Sequence, residues 1–259
     1  MPRYIPLTPD QFASRRWARY RDHRHLADQH WAPIAAPEVA KAAAHLPLAF
    51  VRPGEGKAAQ LGALLGLKPG VNHCLSTEYR WQVGYTPALY RTHPFRVLPT
   101  QAGGTQRTLC VDADSPWLGA SATEPFFTDN GELAPRVKEV LDYLMTLEKH
   151  LYRTQKAVDS LDDLGLLVPL SLRSVEGGSI SGVLQVDETA LNQLTDDTWL
   201  SLRKSGGAAI AYAQLISLGQ LPFLRQRALI SGGYAPEALD DLDAFFGDDG
   251  DELRFDFDD

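Results

Sequence analysis

Between residues 137 and 164 the apolar side chains Val137, Val140, Leu141, Leu144, Leu147, Leu151, Val158, Leu161 and Leu164 recur on a rhythm of three and four. That rhythm marks a single buried face on an α-helix, and a run of this length makes a helix of about 40 Å. Such a helix gains its stability from packing, so it demands a surface long enough to cover the stripe. Its ends are signalled too. A turn at Asp129-Asn130-Gly131 precedes it, Pro135 falls in the first turn where a missing amide costs nothing, and Gly165 provides the stop. The rest of the chain has to supply the opposing surface.

That remainder reads mainly as short strands between tight turns. Residues 46–51 form an apolar run ended by Pro53 and Gly54, a buried strand. Residues 57–67 are rich in alanine, but Gly62 and Gly66 weaken a helix, and the segment reads as a strand paired with 46–51. A turn at 68–72 leads to a strand expected over 73–84. A proline-framed helical turn in 84–95 then enters a strand at 95–98, and a loop tip at 101–105 precedes another at 106–112. Residues 166–175 and 180–186 flank Glu176-Gly177-Gly178-Ser179, a hairpin turn. Helices are predicted over 35–45, from an Asp187 cap to 194, from a Thr195 cap onward, and from 208 to about 229 after Gly206-Gly207. The fold class is therefore α+β: a mostly antiparallel sheet of short strands, a long central helix and a C-terminal helical segment.

Charge divides the chain unevenly. The net charge of −8 comprises −10 from residues 237–259, which hold eleven carboxylates and one arginine, leaving +2 for residues 1–236. The organisation read from this is an N-terminal arm over 1–30 packed through Tyr4, Phe12, Trp17 and Tyr20, a globular domain over 31–236, and an acidic, mobile tail over 237–259. In that tail Leu253, Phe255 and Phe257 alternate with polar residues and would share one face of a docking strand. A solvated tail that touches nothing is the competing reading. The body lacks a broad basic face; Arg15, Arg16, Arg19, Arg21 and Arg24 form a modest patch, which argues against nucleic acid.

Several chemistries lack their signatures. There is no phosphate-cradling glycine loop and no nucleophile elbow, so neither a nucleotide cofactor nor serine hydrolysis has a motif. Asp22, His23 and His25 read as solvated side chains on a polar arm, and no metal or other cofactor is expected. Cys74 and Cys110 read as buried small apolar residues. No uninterrupted apolar run approaches membrane length, and the N-terminus has no apolar leader, which places the chain in the cytoplasm without membrane insertion. Two constellations remain. Asp112 and Asp114 would share one side of an extended segment and could bind a cation or move protons, or they could end a strand and open a turn. Trp81, Tyr85, Tyr90, Arg91 and Phe95 crowd fifteen residues, a composition suited to gripping a partner peptide or to packing a core.

Taken in order, these segments resemble the SapC family of bacterial proteins. The resemblance rests on Leu46-Pro47-Leu48-Ala49-Phe50, the 64–72 run, Trp81 with Gly84-Tyr85-Thr86-Pro87-Ala88, and Arg91-Thr92-His93-Pro94-Phe95. Leu109-Cys110-Val111-Asp112 with Asp114-Ser115, Phe127-Thr128-Asp129-Asn130-Gly131, Val186-Asp187-Glu188 and the 206–218 run continue it. The family takes its name from loci for export of surface-layer protein, and the resemblance brings no catalytic residue with it. Thr92-His93 stands where a second basic residue and an aromatic are usual, and Cys74 where an aromatic or aliphatic residue is usual; these departures bear on a shared ligand, not on the fold. The absent catalytic motifs, the aromatic–arginine segment 81–95 and the polar tail point to a non-enzymatic accessory protein that holds a polypeptide or protein partner, and the resemblance adds a setting linked to surface-protein export. Its candidate partner-binding residues are Trp81, Tyr85, Tyr90, Arg91, Phe95, Asp112, Asp114, Phe255 and Phe257. The alternatives are an enzyme acting on a peptide and a nucleic-acid-associated regulator.

Overall fold

The computed structural model describes residues 2–232 apart from 55, 102–103, 105, 120–121 and 174–178. The acidic segment 237–259, with Phe255 and Phe257, and most of the 176–179 turn lie outside the described residues. In chain order the first elements are β1 (Tyr4–Pro6), α1 (Pro9–Phe12), β2 (Arg16–Trp17), β3 (Trp31–Pro33), α2 (Val39–Ala43), β4 (Leu48–Val51) and β5 (Gln60–Leu64). Then come β6 (Phe95–Pro99), β7 (Arg107–Asp112), β8 (Glu124–Pro125) and the long helix α3 (Pro135–Asp163). The chain continues through β9 (Leu167–Pro169), β10 (Leu172–Arg173), β11 (Ser179–Ile180) and β12 (Val183–Val186). It finishes on α4 (Glu188–Asn192), α5 (Asp196–Ser205), α6 (Gly207–Ser217) and α7 (Leu221–Ser231).

Every strand pairing among the described residues is antiparallel, in keeping with short strands joined by tight turns. The largest sheet has the order β3-β5-β4-β12-β9, a second has β1-β7-β6, and β10–β11 and β2–β8 form small ribbons. The strand reading of 57–67 holds. Gly62 is needed there because a Cβ would strike the Trp31 ring, and Gly66 because one would strike the Val71 carbonyl. The strand expected over 73–84 does not form; its one bridge joins Leu75 and Trp81. The Ser76 hydroxyl accepts from the amides of Glu78 and Arg80 at 3.2 and 3.1 Å, and Tyr79 adopts a φ of 59°. This side-chain-closed turn takes up the donors that a ladder would need.

β4 and β12 pair only at Val183–Val51 and Leu184–Phe50, then part. Helix α6 fills the gap with polar groups. Gln214 Oε1 accepts from the Val186 amide at 3.0 Å while its Nε2 donates to the Leu48 carbonyl at 3.3 Å, and the Ser217 hydroxyl accepts from the Leu48 amide at 2.8 Å. Both side chains are fully buried, so α6 completes the sheet's backbone hydrogen bonding and is fixed in rotation by it.

Two cores result. The larger lies between the five-stranded sheet and α3, α5 and α6; the smaller gathers Phe12, Trp17, Phe95, Val111, Phe126, Val137 and Leu144. The 1–30 segment is woven in: β1 pairs with β7, and Phe12 and Trp17 are buried in the smaller core. Helix α3 runs through both, sending Val137 and Leu144 into the smaller core and Ala157, Val158 and Leu161 into the larger. Leu164 ends exposed, beyond either core. The helical run Gly207–Ser231 is long and apolar enough to cross a membrane by length and composition, and part of it is buried inside the protein.

Leu144→Ala and Leu161→Ala should each lower stability by ~2–5 kcal/mol in urea unfolding, since each leaves a cavity in a different core. Leu151→Ala, at a partly buried position between them, should cost less.

Candidate functional site

The segment 81–95 hangs from one buried carboxylate. Glu38 Oε1 accepts from the Ala35 amide at 2.9 Å, and Oε2 accepts from the Tyr85 hydroxyl and the Ala88 amide, both at 2.8 Å. Burial, then the Glu38 hydrogen bond, pushes the Tyr85 hydroxyl well above its usual range. Trp81 Nε1 donates to the Tyr85 carbonyl at 3.0 Å. The Arg91 guanidinium lies 4.8 Å from the Tyr85 ring centre and donates to the Thr86 carbonyl at 2.7 and 2.9 Å. Tyr90 is buried in the larger core with its hydroxyl on the Trp31 carbonyl at 2.9 Å, whereas Phe95 sits in the smaller core edge-on to Trp17 at 4.8 Å. The sequence crowds these five residues, but the fold distributes them between two cores and the surface.

Asp112 and Asp114 also part company. Asp112, at the end of β7, is buried and accepts from the Arg3 and Asp114 amides at 3.0 and 3.2 Å. Asp114 is exposed and pairs with the Arg3 guanidinium at 2.9 Å, which holds its carboxyl below the usual range. The strand-ending, turn-opening arrangement is thus the one formed.

That turn makes one wall of a cleft of ≈ 480 Å³, lined by Ser14, Arg15, Arg16, Ala113, Asp114, Ser115, Leu118 and Gly119. The opposite wall is held in register by Gly119 donating to the Arg16 carbonyl at 3.3 Å and Ala18 donating to the Trp117 carbonyl at 2.9 Å. Arg15 leans over the Phe12 ring at 5.3 Å, and neither Arg15 nor Arg16 has a carboxylate partner among the described residues. With Asp114 already neutralised by Arg3, the cleft presents uncompensated positive charge. It suits a carboxylate or another oxyanion.

On the cleft floor Ser115 Oγ lies 2.9 Å from His93 Nε2, and it also accepts from the Trp117 amide at 3.3 Å. Behind His93, the His25 ring stacks at 3.7 Å with an interplanar angle of 14°, and Tyr20 and His23 close the group edge-on and beyond. The expectation of solvated arm histidines is corrected here: His23 and His25 are drawn in because the arm folds across the 81–95 segment. Burial, and then neighbouring imidazoles, lowers His25 to about 2; burial, and then Arg96, lowers His93 to about 4. Both are neutral at pH 7. Both His25 ring nitrogens and His93 Nδ1 are buried without a hydrogen-bond partner among the described residues. No group of three metal-binding side chains occurs among the described residues.

A serine beside an imidazole is the geometry of an activated nucleophile, which also needs an accessible hydroxyl, a base near neutrality and an orienting third group. Here Ser115 and His93 are each 5% exposed, His93 is a weak base, and its far nitrogen meets no carboxylate among the described residues. The arrangement fixes the turn through the Ser115 hydroxyl, which is engaged by His93 and the Trp117 amide, and leaves Arg15 and Arg16 as the exposed polar groups of the cleft. Of the nine sequence candidates, Asp114 lines this cleft and Asp112 braces its turn. Arg15 and Arg16 were visible in the sequence as part of a basic patch, but the pairing of Ser115 with His93 across twenty-two positions carries no local signal.

Folding stability should fall as pH drops from about 6.5, because the unfolded chain then takes up protons that buried His25 and His93 refuse until pH about 4 or lower. His25→Phe keeps a ring in the stack and removes one of these sites. Urea unfolding across pH 7 to 4 should show a shallower loss for that variant than for the wild-type chain.

Comparison with known proteins gives one match. Residues 7–224 match the family described as SapC, while no curated protein and no solved structure matches.

Proposed function

The chain belongs to the SapC family, and on that premise we propose that it is a binding or accessory protein without catalysis of its own, which holds an acidic stretch of a polypeptide partner in the cytoplasm. The observation that carries this reading is the cleft between residues 14–16 and 113–119, where the Arg15 and Arg16 guanidiniums have no internal carboxylate among the described residues. Exposed guanidiniums facing a cleft gain little from the protein's own fold and much from an incoming carboxylate, which they can engage in paired hydrogen bonds. A link to surface-protein export is the setting that the family suggests for such a partner. The competing reading, an enzyme acting on a peptide, draws on the Ser115–His93 contact; labelling of Ser115 by a serine-reactive fluorophosphonate would favour it.

Capture from the native cell with the tagged full-length chain, read by mass spectrometry, should recover a polypeptide that the Arg15→Ala, Arg16→Ala double variant loses. The variant's melt should stay within about 1 kcal/mol of wild type, since both side chains are on the surface. Capture should also weaken with added salt, because the Debye length is only ~8 Å at physiological ionic strength. Capture unchanged by the double variant would overturn the assignment of the cleft.

A further inference from the structure

Helices α6 and α7, joined by a short 3-10 turn at Leu218–Gln220, carry a second surface that the cleft does not use. The inner side of α6 is committed to Leu48 and Val186 through Gln214 and Ser217, and that of α7 to the core through Leu224, Ala228 and Leu229. Their outer side carries Ala209, Tyr212, Ile216, Gly219, Phe223, Gln226 and Ile230, an unbroken alternation of three- and four-residue steps. The large members stand well out of the surface: Ile216 is 76% exposed, Ile230 57%, Phe223 44% and Tyr212 39%. Gly219 shares that side, since a Cβ built on it would meet nothing within 4 Å.

The spacing identifies the kind of partner. A surface meant for lipid spreads apolar residues over a broad arc of the helix, whereas a repeat of 3.5 residues makes a narrow seam that fits another helix. No charged residue stands at any of the seven positions, so two identical seams can meet without like-charge repulsion.

We propose that this seam is the interface of a two-fold dimer, in which α6–α7 packs antiparallel against the same helices of a second copy. The seam is complementary to itself in that orientation and about one centre. With the axis at Leu221, Tyr212 faces Ile230 of the second copy, Ile216 faces Gln226, and the Phe223 ring faces the bare backbone of Gly219, where no side chain stands in its way. At the centre the large Phe223 of each copy thus meets the small Gly219 of the other, while the outer pairs join large side chains. A 25-residue helical run is about 37 Å long. A strip of that length and roughly 10 Å wide buries about 400 Å² per copy, half of the ~800 Å² of a standard interface. The dimer is therefore weak and concentration-dependent.

Sedimentation velocity of the full chain over micromolar to near-millimolar concentrations should show a reversible monomer–dimer equilibrium. Phe223→Glu and Ile216→Glu should each raise the dissociation constant by roughly tenfold or more and leave the monomer's melt unchanged. Gly219→Ala is the sharper variant, because its methyl enters the seat of the Phe223 ring while meeting nothing within 4 Å in its own chain; it too should disfavour the dimer. For orientation, a Tyr212→Cys chain mixed with an Ile230→Cys chain should form a disulfide-linked heterodimer on mild oxidation, faster than either chain links to itself. A chain that stays monomeric at every concentration overturns the proposal, whether residues 233–259, a lipid surface or solvent covers the seam. So does a dimer that none of the three seam substitutions weakens.

Discussion

The buried carboxylate of Glu38 is the constraint on which the arrangement of both cores turns. A carboxylate removed from water without donors would cost several kcal/mol. Here three donors meet it, from the Ala35 and Ala88 amides and the Tyr85 hydroxyl. Satisfying that group ties the start of α2 to a segment some fifty residues later in the chain. Once residues 85–88 are held there, Tyr90 falls into the larger core, His93 reaches Ser115, and Phe95 enters the smaller core at the head of β6. One internal charge thereby sets the relation between the cores and the placement of the candidate cleft.

Helix α3 and helix α6 do complementary work around that junction. Helix α3 joins the cores through apolar contact along its length, and it is pinned near its C-terminal half where Thr154 accepts from the Ala36 amide at 2.8 Å and Gln155 donates to the Ala59 carbonyl at 2.8 Å. Helix α6 is locked by polar contact, because Gln214 and Ser217 replace the hydrogen bonds that β4 and β12 do not make with each other. A fixed inner face means a fixed outer face. The outward direction of Ile216 and Phe223 thus follows from the need to satisfy two strands.

At the cleft, the buried groups and the charged groups divide by position. The imidazole of His93 is kept neutral by burial and lies against a second neutral ring, so it serves as a hydrogen-bond partner for Ser115, and the charge available to a ligand comes from Arg15 and Arg16.

The sequence by itself determined the local structure. The periodicity from Val137 to Leu161, the caps at Asp187 and Thr195, and the stop at Gly165 are short-range signals, each governed by neighbours within one or two turns. The pairing of 57–67 with 46–51 was legible for the same reason, since adjacent strands need only a tight connection. The strand expected over 73–84 failed because a single serine, Ser76, diverted the backbone amides, a competition that propensity does not weigh. Tertiary structure alone decided that Tyr85, Tyr90 and Phe95 would be shared between cores, that His25 would stack on His93, and that Arg15 and Arg16 would face Ser115 across a cleft. Those contacts join residues from about fifty to a hundred positions apart. They are set by which long-range packing satisfies Glu38, Gln214 and the two cores at once, and no window of local sequence contains that information.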